Sequence, residues 1–91
     1  MLTLDSTLLI PPYVTFTVVG QDAFLLNTRT NRYFALQEVG TRLWTLLKDG
    51  TPLKEACQSL RAEYEVQPAQ LEQDILELVG QLLDNKLVEI A

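Results

Sequence analysis

From Asn31 to Leu47 the chain reads NRYFALQEVGTRLWTLL, and the spacing of its apolar residues changes partway through. Arg32, Phe34 and Leu36 alternate with Tyr33 and Ala35, a period of two in aromatic and aliphatic residues that suits a pleated, half-buried surface. From Val39 the period becomes helical: Val39, Leu43, Leu46 and Leu47 share a face with Trp44 beside them, while Glu38, Thr41, Arg42, Thr45 and Lys48 take the other faces. A strand therefore runs without a linker into an amphipathic helix. The helix is expected to stop at Asp49-Gly50, where glycine can take the left-handed cap.

Upstream the pattern is that of strands. Met1 to Pro12 reads as an arm or a short edge strand, closed by Pro11-Pro12, which cannot donate to a ladder. Tyr13 to Val19 alternates, with Tyr13, Thr15, Thr17 and Val19 on one face and Val14, Phe16 and Val18 on the other. Gly20-Gln21-Asp22 is turn chemistry. Ala23 to Asn27 is a second strand, and Thr28 to Asn31 is the next connection, where Asn27 or Asn31 could adopt the left-handed region. Three consecutive strands with short turns make an antiparallel meander whose third member, Asn31 to Leu36, keeps one unpaired edge.

Downstream the chain is helical. Thr51 as N-cap and Pro52 at the first helical position open a second helix that carries Leu53, Ala56, Cys57, Leu60 and Tyr64 on one stripe. Gln67-Pro68 opens a third in a similar way. Its Leu71, Ile75, Leu78 and Leu82 form one stripe, and Leu76, Val79 and Leu83 form another beside it. At 100° per residue the two stripes span about 160°, wider than the roughly 100° that a surface helix needs for one core contact. Leu87 to Ile90 ends as an extended tail or short added strand. The expected fold is α+β and winged helix-turn-helix-like, a three-stranded antiparallel sheet followed by three helices. Ninety-one residues make a single domain spanning 1–91, with residues 1–12 as its arm.

Composition narrows the function. One cysteine, Cys57, and no histidine leave no disulfide and few catalytic or zinc constellations within one chain. Cys57 sits on an apolar stripe with no base near it in sequence, and reads as a small packed residue. Neither a metal nor a cofactor is expected, and an enzyme is the least supported reading. From Ala62 onward seven acids face one base, Lys86, within a net charge of −5. A winged-helix DNA-binding regulator shares the helix order but would carry a basic reading helix, so nucleic acid is not the expected partner. No apolar run approaches the roughly 18–20 residues that cross a bilayer, and Met1-Leu2-Thr3 lacks the flanks of a signal peptide. A cytoplasmic protein is expected, with no membrane partner.

Two surfaces stand out, an aromatic edge strand and a third helix with surplus apolar area. If they adjoin, they form a groove that takes an extended peptide by strand addition, with ladder bonds for affinity and side-chain pockets for specificity. The alternative is that the domain's own arm, Leu2 to Ile10, or a second copy covers them.

The run NTRTNRYFALQEVGTRLWTLLKDGTPLKEACQSLRAEYEV, then a helix with Asp74-Ile75 and Leu78-Val79 and a closing Leu87, resembles the PqqD-like proteins. The match covers about Tyr13 to Ile90. It is carried by Tyr33-Phe34-x-Leu36, by Glu38-Val39-Gly40 leading into the first helix, by Trp44 four residues after Gly40, and by Asp49-Gly50. Two positions depart from the pattern. Many relatives have glycine just before the leucine of Asn85-Lys86-Leu87, where asparagine can also take the left-handed cap. Asparagine is also frequent at the position of Gln37.

The resemblance implies a non-catalytic recognition element for ribosomally synthesised, post-translationally modified peptides. Family members bind a precursor's leader segment as a strand added to the third strand, packed on the third helix. The small free-standing form looks most like the leader-binding protein of lasso-peptide clusters, whose partners are a cysteine leader peptidase and an ATP-dependent cyclase. The closest rival is the pyrroloquinoline quinone chaperone that serves a radical enzyme. On this match Tyr33, Phe34, Ala35 and Leu36 supply the receiving edge through backbone groups, and Leu71, Asp74, Ile75, Leu78 and Val79 line the opposite wall. Asp74 either holds a basic leader residue or a backbone amide, or is a solvated acid favoured by the helix dipole. Leu36, Leu43, Trp44 and Leu82 read as core.

Overall fold

The period change at Leu36 is where sheet gives way to helix in the computed structural model, which describes residues 3–91. In chain order the elements are β1 (Leu8–Leu9), β2 (Val14–Val19), β3 (Asp22–Asn27), β4 (Arg32–Leu36), α1 (Glu38–Lys48), α2 (Leu53–Glu63), α3 (Pro68–Asp84) and β5 (Glu89–Ile90). The expected α+β architecture, an antiparallel meander followed by three helices, is the one observed. The sheet order is β2-β3-β4, so β4 has a partner on one side only. Gly20 turns the first hairpin at φ +64, and of the two asparagines considered for the second it is Asn31 that is left-handed, at φ +59.

The arm and the tail find each other. Leu8 and Leu9 pair antiparallel with Ile90 and Glu89 in a separate two-stranded ribbon. Met1 and Leu2, the start of the expected arm, lie outside the described residues. From Leu8 onward the arm belongs to β5, and among the described residues no strand pairs with the outer edge of β4.

Two apolar clusters hold the fold. One gathers Leu43 and Leu47 of α1, Leu53 and Leu60 of α2, and Ile75 and Val79 of α3, with Leu8. The other lies between sheet and helices, where Leu25, Leu36, Trp44, Leu82, Leu87 and Val88 meet. Trp44 is 1% exposed and packs edge-on against Phe16 with ring centroids 6.0 Å apart.

Several details differ from the sequence reading, each for a local reason. Thr41, expected on an outer face, is buried because its hydroxyl donates to the Leu36 carbonyl at 3.3 Å across the strand-to-helix turn. Pro52, not Thr51, is the N-cap of α2, its carbonyl accepting from Ala56 N–H at 3.0 Å. On α3 it is Val79, not Leu78, that joins Leu71, Ile75 and Leu82 in the buried stripe.

The C-terminal ends of α1 and α3 are built alike. After α1, Gly50 N–H donates to Leu47 O and Thr51 N–H to Leu46 O, the paired bonds of a Schellman cap, with Gly50 at φ +83. After α3, Lys86 N–H donates to Leu83 O and Leu87 N–H to Leu82 O in the same pattern. The left-handed residue there is Lys86, at φ +59, and not Asn85, whose φ is −92. A lysine thus stands where glycine fits without strain.

Candidate peptide-binding site

The outer edge of β4 is the candidate site, and the ladder determines which of its groups are free. A central antiparallel strand sends its N–H and C=O alternately to either neighbour. Thr28 N–H donates to the Tyr13 carbonyl at 2.9 Å, so Tyr13 and Thr28 form a hydrogen-bonded pair. Along the register from that pair, Leu26 and Phe24 turn to β2, which leaves Asn27, Leu25 and Ala23 to turn to β4. Their partners are Arg32, Phe34 and Leu36. The backbone groups of Tyr33 and Ala35 therefore point outward, unpaired within the sheet. Of the four residues expected to supply the receiving edge, Phe34 and Leu36 direct their backbone to β3.

Side chains alternate the other way. Leu36 is buried and Phe34 half-buried against the helices, whereas Tyr33, 78% exposed, and Ala35 stand on the outer face of the sheet. Phe34 and Leu78 both pack against the sheet-side cluster. A Cβ placed on Gly40 would lie 3.4 Å from Leu36 Cδ2 and 3.3 Å from Leu78 Cδ2. The end of β4, the start of α1 and the middle of α3 thus converge where Gly40 has no side chain.

Beside that convergence is an apolar hollow of about 200 Å³, lined by Leu71, Asp74, Ile75 and Leu78 of α3, by Val39, Gly40 and Leu43 of α1, and by Val66 just before α3. Four of the five helix residues named from sequence line it. Val79 does not: it is wholly buried in the core behind. The α1 residues and Val66 were not nominated, because only the tertiary fold brings them opposite α3. The one hint in the sequence is a lone valine in the polar run Glu65-Val66-Gln67 just before Pro68, and in the structure it is exposed. Asp74 is exposed and accepts from Gln70 Nε2 at 2.8 Å, so its carboxylate is positioned at the hollow.

The rest of the surface offers little chemistry. Cys57 is buried, and burial together with the charge of Glu72 pushes its thiol above the usual range, against thiolate formation. Arg42 donates to both carboxylate oxygens of Glu63, at 2.9 and 3.1 Å, which raises the pKa of the guanidinium still further. Among the described residues no group of His, Cys, Asp and Glu has the arrangement of a metal site, and no helix is long and apolar enough to cross a membrane.

Known proteins resemble this chain in the same region. The family model for coenzyme PQQ synthesis protein D (PqqD) matches residues 22–88. The solved structure of TbiB1 in complex with the TbiA(beta) leader peptide superposes with a TM-score of 0.83 at 31% identity, covering 88% of this chain and 93% of that one. Lasso peptide synthetase B1 complexed with the leader peptide superposes with a TM-score of 0.81 at 26% identity, covering 91% and 98%. A search of curated proteins finds no match. With three quarters of its length under the family model and the same overall fold as these structures, the chain belongs to the PqqD family.

Proposed function

We propose that this protein is a leader-peptide-binding carrier: it takes the leader of a ribosomally made precursor, of the lasso-peptide type, as a strand added to β4. The observation that carries the reading is the free β4 edge, with the outward backbone groups of Tyr33 and Ala35 next to the apolar hollow. Tyr33 and Ala35 then supply the ladder. Phe34 and Leu36 shape the wall beneath the guest, and Leu71, Asp74, Ile75 and Leu78 receive its side chains. Val79 supports that wall from behind. Two similar structures hold leader peptides, which supports the same class of ligand here.

The chain acts as a single domain without catalysis of its own, in the cytoplasm, and presents the bound precursor to a leader peptidase and an ATP-dependent cyclase. The buried, unactivated Cys57 and the lack of histidine favour this division of labour. A second reading, chaperoning a pyrroloquinoline quinone precursor to a radical enzyme, is favoured by the function named in the matching family model.

The test is a titration with the leader segment of the precursor encoded beside the protein, read by backbone amide NMR. Micromolar or tighter binding, about −8 kcal/mol or better, with shifts concentrated on β4 and the first half of α3, supports the carrier role. Absence of binding to that leader, or shifts confined elsewhere, rejects it. Binding of a pyrroloquinoline quinone precursor in its place selects the second reading.

A further inference from the structure

Two unlike hollows lie toward the two ends of β4, each with residues of α3 or its C-terminal cap in its lining. Near the Leu36 end is the apolar hollow. At the Arg32 end lies a polar cleft of about 200 Å³ lined by Thr30, Arg32, Asp84, Asn85 and Lys86. Strand alternation puts the Arg32 side chain on the helix-facing side of the sheet with Phe34 and Leu36. Lys86 is fastened at the same place, its carbonyl held by Asn27 Nδ2 at 3.0 Å. Both cations are exposed, and the one ion pair among the described residues is Arg42 with Glu63. Asp84 is the cleft's own acid, which leaves it one net positive charge.

Lys86 stands out twice. It is the one base among seven acids from Ala62 to the C-terminus. It also occupies the left-handed cap position at φ +59, where a β-carbon is disfavoured and glycine is the usual solution. A side chain kept in a strained backbone conformation points to use of that side chain.

We propose that Arg32 and Lys86 form a selectivity site for an aspartate or glutamate of the guest peptide. This rests on the leader-binding reading above and adds a sequence requirement to it. Four strand steps of ~3.3 Å separate Arg32 from Leu36, and α3 rises ~1.5 Å per residue from Leu71 to Asn85. The guest's acid therefore lies roughly four to six residues from the apolar side chain that enters the hollow. A peptide with lysine or arginine there is rejected by like charge, which gives discrimination among leaders of equal apolar content.

The test uses the full chain and the leader segment of the neighbouring precursor, titrated by fluorescence anisotropy at low and high salt. Arg32→Gln and Lys86→Gln should each weaken binding about three- to fivefold at low salt, with the difference shrinking at high salt. Lys86→Arg should retain affinity, and Asp84→Asn should tighten binding by relieving competition for the cations. Lys86→Gly separates charge from folding: it should melt no lower than the parent yet bind like Lys86→Gln. Changing the leader's acid to its amide should cost about as much as the Arg32→Gln/Lys86→Gln double variant, and combining that change with the double variant should cost no more. The proposal is overturned if the leader has no acid at that spacing, or if the Arg32→Gln/Lys86→Gln double variant binds normally while Ala35→Pro does not bind. That second pattern leaves the leader-binding reading standing. A parent protein that binds no leader removes both.

Discussion

The carboxamide of Asn27, fully buried at the end of β3, donates to the Lys86 carbonyl at 3.0 Å and so ties the β3–β4 hairpin to the end of α3. Its Nδ2 also reaches the Asn85 carbonyl at 3.4 Å, while its Oδ1 accepts from the N–H groups of Arg29 and Thr30 at 2.9 and 3.2 Å. One side chain thus serves two backbone segments about sixty residues apart. Asn27→Ala should cost about 2–3 kcal/mol in urea melts, because it removes all four of these part-buried hydrogen bonds at once and leaves a void where a fully buried side chain stood. Asn27→Asp keeps the acceptor but loses the donor and buries a charge, so it should be no milder. A loss below ~0.5 kcal/mol for either would mean that water satisfies these groups as well as Asn27 does.

How much of this was legible beforehand depended on whether a feature is local. Alternation through Tyr33-Phe34-Ala35-Leu36 and the glycine at Gly50 were read correctly because strand period and cap conformation are set by neighbours in sequence. The sequence marks Asn27 as the end of the second strand and a possible left-handed residue, but nothing nearby announces that its partners are at Asn85 and Lys86. Leu78 and Val79 are adjacent apolar residues on a helix with a wide apolar arc. Which one faces inward is decided by α1 and α2, not by α3. The free backbone parity of β4 likewise needs the register of both hairpins, which starts from the Tyr13–Thr28 bond. The left-handed cap lies one residue later than expected because the Schellman bonds end α3 at Asp84 and make Asn85 the cap.

Trp44 is the largest buried side chain, and its indole Nε1 has no hydrogen-bond partner. Trp44→Ala should cost ~3–5 kcal/mol through the cavity it leaves. Trp44→Phe should cost considerably less than the lost volume suggests, since it also removes an unpaired buried N–H whose desolvation is unfavourable by about 1–3 kcal/mol. Urea melts of the two variants check this. An Ala variant within ~1 kcal/mol of the parent would place the indole outside the core.

Proline scanning separates the two backbone faces of β4. Ala35→Pro removes an N–H that points away from the sheet, so the fold should survive with about 1 kcal/mol lost or less while leader binding disappears. Phe34→Pro removes a bond to Leu25 and should cost several-fold more, on the order of 3 kcal/mol. Circular-dichroism melts and leader titrations on the same samples distinguish them. Leader affinity untouched by Ala35→Pro would rule out strand addition at this edge.

Gly40 gives the sharpest separation of binding from stability. An added methyl would stand 3.3 Å from Leu78 Cδ2 and 3.4 Å from Leu36 Cδ2. Both are tips of side chains that can rotate, and Leu78 is only half-buried and lines the hollow. Alanine also improves the helix by up to ~1 kcal/mol over glycine, which offsets the crowding. Gly40→Ala should therefore change stability by less than about 1 kcal/mol in either direction. Its effect falls on the hollow, which Leu78 must enter to make room, so leader affinity should drop about tenfold, equal to about 1.4 kcal/mol. Gly40→Val, with more bulk at the same point, should abolish binding before it abolishes folding. Paired melts and titrations decide it: if Gly40→Ala binds the leader as well as the parent does, the guest's apolar side chain sits elsewhere, and the hollow between α1 and α3 is only a packing defect.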